Sequence, residues 1–528
     1  MEKNRKEVVY QIYPLSFKDT NHDGIGDIPG ITSELDYLKD LGIDVIWLSP
    51  VYQSPMDDNG YDISDYYEIN PMFGTKSDLM ILLQTAHQKG MKVIMDLVLN
   101  HTSNEHVWFK EALKGKNNPY YDYYIWSETP SDITSVFSGS AWQFVPHLNK
   151  YYFHLFSVKQ PDLNWQNPKL RQEIYQMINY WLDLGFDGFR LDVIDLIGKD
   201  VHQKKLADGP YLEAYLDELY EQCFKGKDVF TVGEMPGISL KRANEITANQ
   251  KALDMVFQFD HIALDEVPGQ GKWVLKKLDL QALKQTLNHT QQLFKNQGWA
   301  SLFWSNHDQP RAVSRYGNPN EPYRKDSAKM LFTLLFGMKG TPYIYQGEEF
   351  GMTGIQLPIE DYRDIETKNI YQELKTKGWS EDQILASIYV KGRDNSRTPM
   401  QWNDMRFSGF SSEKPWLKVN PNYTYINRDL DQKDPQGILK YVKTLLKIRK
   451  QYDVFTTGEF HLLEPYHPQL FIYERLTEEE RVVVICNWTE DIVPNPVDVS
   501  KMTSLLSNSD KHDVLKPYYA SIFYEKRD

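Results

Sequence analysis

The sequence predicts an α/β protein built on a (β/α)₈ TIM barrel. A small domain is inserted after the third strand, and an antiparallel β-sandwich follows at the C-terminal end. Three observations lead there. Eight short, nearly continuous apolar runs alternate with amphipathic helical stretches, as parallel strands buried on both faces require. Polar residues gather at the C-terminal ends of those runs, where such barrels carry their chemistry. After residue 453 the alternation stops and only strand-like runs remain.

The predicted strands are VVYQIYP (8–14), VIWLSPV (45–51), KVIMDLV (92–98), GFRLDV (188–193), VFTVGE (229–234), LDMVFQFD (253–260), SLFWSN (301–306) and TPYIYQGE (341–348). Between them lie amphipathic stretches such as ITSELDYLKDLG (31–42) and LRQEIYQMINYWLDLG (170–185). Eight strands suit a closed barrel better than an open doubly wound sheet. Two connections are too long for simple crossovers, and long loops in compact domains are usually functional. Residues 101–167, rich in Tyr, Trp, Asn and Ser, read as an inserted domain. Residues 350–436 read as a second long insertion, after strand 8. The barrel is therefore expected over 1–100 and 168–455, and a C-terminal β-sandwich over 456–528, from FHLLEP, LFIYERL, RVVVICNW and YYASIFYEK.

Composition excludes several roles. The formal charge is −14 with no useful Lys/Arg block, so no nucleic-acid partner is expected. Cys223 and Cys486 are the only cysteines, too few for a disulfide framework. No window approaches the apolar length of a membrane span. The start, MEKNRKEVVYQIYP, shows no apolar h-region or cleavage site. A soluble cytoplasmic protein, acting as a monomer, is expected.

The run DTNHDGIGD places Asp19, Asn21, Asp23 and Asp27 in a glycine-bearing turn. Alternating oxygen donors suit a hard cation, and the Ile25 carbonyl could add another. An EF-hand is rejected, because Gly30 stands where its bidentate Glu would be and a strand precedes the loop. A structural Ca²⁺ site is expected. The other reading is a turn whose Asx side chains cap their own backbone.

Three strings deliver one carboxylate each at a strand end: GFRLDV gives Asp192, TVGEMPG gives Glu234 and WSNHDQPR gives Asp308. A buried acid is costly unless paired or used. Three at separate strand ends suggest one site, and paired carboxylates are what glycoside hydrolysis needs. Period two puts Arg190 on the same face as Asp192, where its charge is expected to keep that nucleophile ionised. Glu234, shielded by Met235 and near other acids, is expected to have a raised pKa and act as general acid. His307 and Asp308 suit hydrogen bonding to sugar hydroxyls. Asp96 and His101 follow the third strand, and Asp58 and Tyr61 the second. No HExxH, GxxxxGK[ST], GxSxG or CxxC pattern competes.

With these residues in place, the chain resembles the α-amylase family of retaining α-glycosidases (glycoside hydrolase family 13), and within it the oligo-1,6-glucosidase and dextran glucosidase branch. The ordered strings DNGYDISDY, MDLVLNHTS, QPDLNW, GFRLDV, TVGEMPG, SNHDQPR, TPYIYQGEE and RTPMQW carry the likeness over about three quarters of the chain. The resemblance implies Asp192 as nucleophile, Glu234 as acid/base and Asp308 as transition-state stabiliser. It implies that Asp58, Tyr61, His101, Arg190, His307 and Arg397 hold the terminal glucose. Phe137 and Phe156 would form aromatic walls, and Asp19, Asn21, Asp23, Ile25 and Asp27 the calcium loop. In that branch a Val after the nucleophile, here Val193, goes with α-1,6 linkages. Two departures stand out: the paired Trp often found before VVYQIYP is absent, and the connection from Asp192 to Glu234 is short, as in dextran glucosidases. The implied substrate is an isomaltooligosaccharide or dextran-type chain, cleaved from its end, with no organic cofactor. Trehalose-6-phosphate hydrolysis and α-1,4-glucosidase action remain alternatives. A non-catalytic sugar-binding homologue is disfavoured, because all three acids are present.

Overall fold

The computed structural model describes residues 5–248 and 251–527; Met1–Asn4 of the N-terminal stretch read above lie outside the described residues. Eight parallel strands form the central sheet: β1 (Val9–Ile12), β2 (Val45–Leu48), β3 (Lys92–Val98), β4 (Gly188–Asp192), β5 (Phe230–Glu234), β6 (Met255–Phe257), β7 (Ser301–Leu302) and β8 (Thr341–Tyr345). They run in the order β6-β5-β4-β3-β2-β1-β8-β7. A parallel bridge from Val256 to Ala300 joins β6 to β7 and closes the ring. Apart from the first residue of β3, every strand residue is buried. That explains runs of apolar residues without alternation.

β6 and β7 are shorter than their apolar runs. After Phe257 and Leu302 the chain leaves the sheet and turns over the barrel mouth. Past β7 the turn is held by Asn306, whose Oδ1 accepts the N–H groups of Asp308 (2.7 Å) and Gln309 (2.8 Å). Gly188 opens β4 with φ 157°; a Cβ there would lie 1.8 Å from the Phe230 carbonyl oxygen on β5. Only glycine lets these two strands, which carry Asp192 and Glu234, start so close together.

The helix Pro168–Leu184 shows how the sequence builds the barrel's outer layer. Asn167 caps it through the Lys169 N–H, Pro168 occupies its first turn, and Gly185 ends it in the left-handed region at φ 116°. Its apolar stripe (Leu170, Ile174, Met177, Ile178, Trp181) is buried, and the chain passes from it into β4.

Within 101–167 a three-stranded antiparallel sheet forms from Trp126–Ser127, Lys150–Phe153 and Trp142–Val145. It is fastened to the end of β3 by Trp165, whose indole N–H donates to the Leu99 carbonyl at 2.7 Å. Within 350–436 the helices Ile365–Thr376 and Glu381–Lys391 enclose a small apolar cluster of their own, including Ile370, Leu374, Ile384 and Ile388. The C-terminal strands β9 (Glu459–Leu463), β10 (Leu470–Leu476), β11 (Glu480–Asn487), β12 (Thr503–Ser507) and β13 (Ala520–Lys526) make one antiparallel sheet in the order β9-β10-β11-β13-β12. Period two gives it two apolar faces. Phe471, Tyr473, Val484 and Ile522 belong to the main core, and the Tyr473 hydroxyl donates to Leu334 of a barrel helix. Ile472, Val483 and Ile485 form a second cluster with Val493 and Leu515. Those two residues lie on a two-stranded ribbon, Val493–Pro494 with Val514–Leu515. The second layer of the predicted sandwich is thus reduced to this ribbon, because barrel helices cover the sheet's other face.

Candidate active site

The C-terminal ends of β3, β4 and β5 deliver Asp96, Asp192 and Glu234. The register pairs Asp96 with Arg190 across β3 and β4. Arg190 is fully buried, and its guanidinium meets all three acids: Nη1 donates to Asp96 and Asp192, while Nη2 ion-pairs with Glu234 at 2.6 Å. Carboxylate oxygens in contact with neighbouring nitrogens of one planar guanidinium lie within about 7 Å of each other. This falls short of the widest spacings of inverting enzymes, about 9 Å, and accommodates the retaining geometry.

One guanidinium does not neutralise three carboxylates. Burial, reinforced by the charges of Glu234 and Asp96, pushes the Asp192 carboxyl well above the usual carboxylate range despite Arg190. Arg190 does lower this pKa, but less than burial and the two neighbouring acids raise it, so the expectation that its charge decides the balance is corrected. Sequence spacing paired Arg190 with Asp192 but did not show that Asp96 and Glu234 share the same guanidinium.

Asp308 has the opposite environment. Burial works against its charge, yet His307, Arg393 and Arg397 overrule it and hold the carboxyl well below the usual range. Arg397 Nη2 reaches Asp308 at 2.6 Å, and its Nε donates to the His307 carbonyl at 2.8 Å. Arg393 lies 3.3 Å from Asp308 and 2.9 Å from Asp58, and also binds Asp364.

A cavity of about 290 Å³ opens over these groups. Of the predicted residues, Asp58, Tyr61, His101, Phe137, Phe156, Asp192, Val193, Glu234 and Asp308 line it. Arg190, His307 and Arg397 lie behind the wall, all but inaccessible. The arginine that lines the pocket is Arg393, over the Phe137 ring at 4.9 Å. Arg393 and Arg397 stand one helical turn apart, and only the folded chain tells which faces the cavity. Tyr61 commits its hydroxyl to Asp96 at 3.0 Å and stacks on His307, with ring centroids 5.1 Å apart. It offers the pocket a ring face rather than a hydroxyl. His101 accepts from Asn100 at Nδ1 (3.1 Å) and faces the Tyr61 carbonyl through Nε2 (3.0 Å). Burial lowers its pKa to about 4, so its imidazole is neutral at pH 7.

Val193 has φ 36° and ψ 44°, a conformation β-branched residues rarely adopt. The turn aims its N–H at Glu234 Oε2, 3.3 Å away, and leaves the side chain in the pocket wall. Sequence reasoning missed Arg393, Lys272, Glu366 and Gln160. Gln160 donates to Asp58 at 3.1 Å, and Lys272 pairs with Glu366 at 2.7 Å on the pocket rim. Gln160 stands inside QPDLNW, a string quoted for the family; Lys272 and Glu366 lie in segments without a motif.

In the acid loop, Asp19 accepts the N–H groups of His22 (2.7 Å) and Gly24 (2.9 Å), and Asp27 those of Thr20 (2.7 Å) and Gly30 (2.6 Å). Asn21 and Asp23 bind each other and the local backbone. Among the described residues no three His, Cys, Asp or Glu side chains converge as a metal cluster. A hard cation would therefore draw on the Asn21 amide and the Ile25 carbonyl besides the carboxylates. The all-oxygen donor set fits such an ion.

The geometry agrees with the known proteins this chain resembles. The profile of the α-amylase catalytic domain matches residues 11–458. The oligo-1,6-glucosidase of Halalkalibacterium halodurans is 48% identical, covering 99% of both chains. The glucan 1,6-alpha-glucosidase of Streptococcus pneumoniae is 47% identical over 96% of each. Among solved structures, the trehalose-6-phosphate hydrolase of Bacillus licheniformis superimposes with a TM-score of 0.93 at 44% identity, over 99% of both chains. The catalytic-domain match and these near-full-length likenesses agree, and the chain is a glycoside hydrolase of the α-amylase family.

Proposed function

We propose that this protein is an exo-acting, retaining α-glucosidase that removes terminal glucose from α-1,6-linked oligosaccharides. The observation that carries the reading is the placement of Asp192 and Glu234 on one buried guanidinium at the floor of a one-chain pocket. Asp192 attacks C1, and an ester bond forms as the bond from C1 to the glycosidic oxygen breaks. Glu234 gives that oxygen its proton. Water then attacks C1, Glu234 takes a proton from it, and the ester is released. Asp308 stays charged beside the developing oxocarbenium ion and stabilises it. The Arg393–Asp58 pair, with Gln160 donating to Asp58, lines the pocket and can hold the hydroxyls of a chain terminus.

Linkage choice falls to Val193, whose branched side chain stands beside the leaving group. The two cations that line the pocket, Arg393 and Lys272, are each paired with carboxylates, which disfavours a phosphorylated substrate. Isomaltose, dextran, maltose and trehalose 6-phosphate assayed side by side test this reading. Isomaltose and dextran should be the good substrates, and Val193→Thr should raise the maltose-to-isomaltose ratio by about tenfold. Faster turnover of trehalose 6-phosphate would overturn the assignment.

We also propose a structural Ca²⁺ at Asp19, Asn21, Asp23, the Ile25 carbonyl and Asp27. A chelator should lower Tm and added Ca²⁺ should restore it; an unchanged Tm rejects the site. We also propose that it acts as a monomer, which sedimentation of the active enzyme checks. No helix among the described residues is long and apolar enough to cross a membrane. Cys223 and Cys486 are free buried thiols, which supports a reducing, cytoplasmic setting; export into a culture medium would contradict it.

A further inference from the structure

β4 and β5 are tied to each other beyond their carboxyls. Three residues past Asp192, on the short turn Ile194–Leu196, stands Asp195; three residues past Glu234 stands Gly237. Asp195 Oδ2 accepts the Gly237 N–H at 2.9 Å. A second tie joins the same two segments, from the Val193 N–H to Glu234 Oε2 at 3.3 Å. The contact leaves no slack. A Cβ on Gly237 would lie 2.8 Å from Asp195 Oδ2 and 2.3 Å from the Ala207 Cβ. Asp195 is itself anchored, because its carbonyl accepts the Asp208 N–H at 3.1 Å. Pro236, between Glu234 and Gly237, lines the pocket.

Asp195 is fully buried and stands outside the pocket lining, so it touches no substrate. Its Oδ1 has no hydrogen-bond partner. A buried carboxyl with one oxygen unpaired is a costly way to hold a turn. Burial, reinforced by the charges of Glu234 and Asp208, pushes it up to about 7 against the pull of the Gly237 N–H. Oδ1 is the atom free to carry the proton while Oδ2 keeps the Gly237 bond. Carboxyls perturbed in this way gather where an active site needs them.

We propose that Asp195 is a positioning residue of the acid/base: it clamps the Met235–Gly237 turn to the nucleophile's own loop and so fixes Glu234 at the glycosidic oxygen. The inference rests on the reading of Glu234 as acid/base and adds a residue which that reading does not use. A shift of about 1 Å in a catalytic group costs on the order of a hundredfold in rate. Loosening the clamp therefore harms proton transfer to the leaving group more than attack by Asp192.

Two substrates separate these effects. In isomaltose the C1–O bond breaks as the oxygen takes the Glu234 proton. In α-glucosyl fluoride the C1–F bond breaks and fluoride leaves with the electron pair into water, with far less need of an acid. Both form the same ester with Asp192, and kcat/KM reports that step. Asp195→Ala should lower kcat/KM for isomaltose by about 30-fold and for the fluoride by less than about threefold. Asp195→Asn keeps an oxygen for the Gly237 N–H and should return isomaltose to within about threefold of wild type. Gly237→Ala wedges the same contact from the other side and should repeat the signature of Asp195→Ala, which decides the matter if that variant does not fold. An equal loss on both substrates, no loss on either, or an Asp195→Asn no better than Asp195→Ala overturns the proposal. Glu234→Gln should lose about 10²-fold more on isomaltose than on the fluoride. A Glu234→Gln that treats the two alike would instead remove the acid/base reading on which the proposal stands.

Discussion

Arg190 sets the chemistry of the pocket by a simple charge count: one guanidinium serves Asp96, Asp192 and Glu234. The residue types were legible in GFRLDV and TVGEMPG, because each acid ends an apolar run. The charge balance was not, since it depends on Asp96 arriving from a strand about a hundred residues earlier. Its consequence is that Asp192 is held in a state that costs stability. A carboxyl whose folded pKa is raised above the unfolded value destabilises the fold at every pH above that unfolded value. Replacing Asp192 by Asn removes one of two excess negative charges and keeps the shape. We expect turnover to fall by about 10³-fold or more while Tm rises by roughly 1–3 °C. Paired rate and melting measurements check both. A large residual rate removes Asp192 from the mechanism, and a lowered Tm contradicts the charge count.

At the scale of elements, the eight strands were legible because parallel strands buried on both faces leave continuous apolar runs. The ends of β6 and β7 were less so. SLFWSN is as apolar as a strand, but after Leu302 it serves the mouth of the barrel. Arg393 was missed in favour of Arg397 because a single helical turn separates them and only packing against Asp58 decides. The elements also carry a pH dependence. His261, just past β6, faces the Phe303 carbonyl at 2.8 Å, and burial lowers its pKa to about 4, as for His101. Between the unfolded value near 6.5 and about 4, the unfolded chain binds protons that the folded chain refuses. Stability therefore falls as pH drops through that window, by up to about 3 kcal/mol per group, and these groups change nothing above it. His261→Gln keeps a donor for Phe303 and cannot protonate. Its Tm should drop less than the wild type's between pH 7 and pH 5; an equal drop would show that His261 does not contribute.

Across the whole molecule, three layers of construction meet at one mouth. The barrel supplies the acids, the insertion after β3 supplies Phe137 and Phe156, and the segment after β8 supplies Arg393 and Glu366. The barrel and its acids were readable as strings. The rim was not, because its residues come from long loops with no periodicity, and they become neighbours only when Asn369 and Phe137 join the two insertions. The central claim is that Asp192 and Glu234, held by one guanidinium, act as nucleophile and acid/base in a double displacement. The anomer of the glucose first released from isomaltose tests it most directly, followed by proton NMR before mutarotation. Retention predicts α-glucose as the initial product. Initial β-glucose would mean that water attacks directly, and would contradict the account.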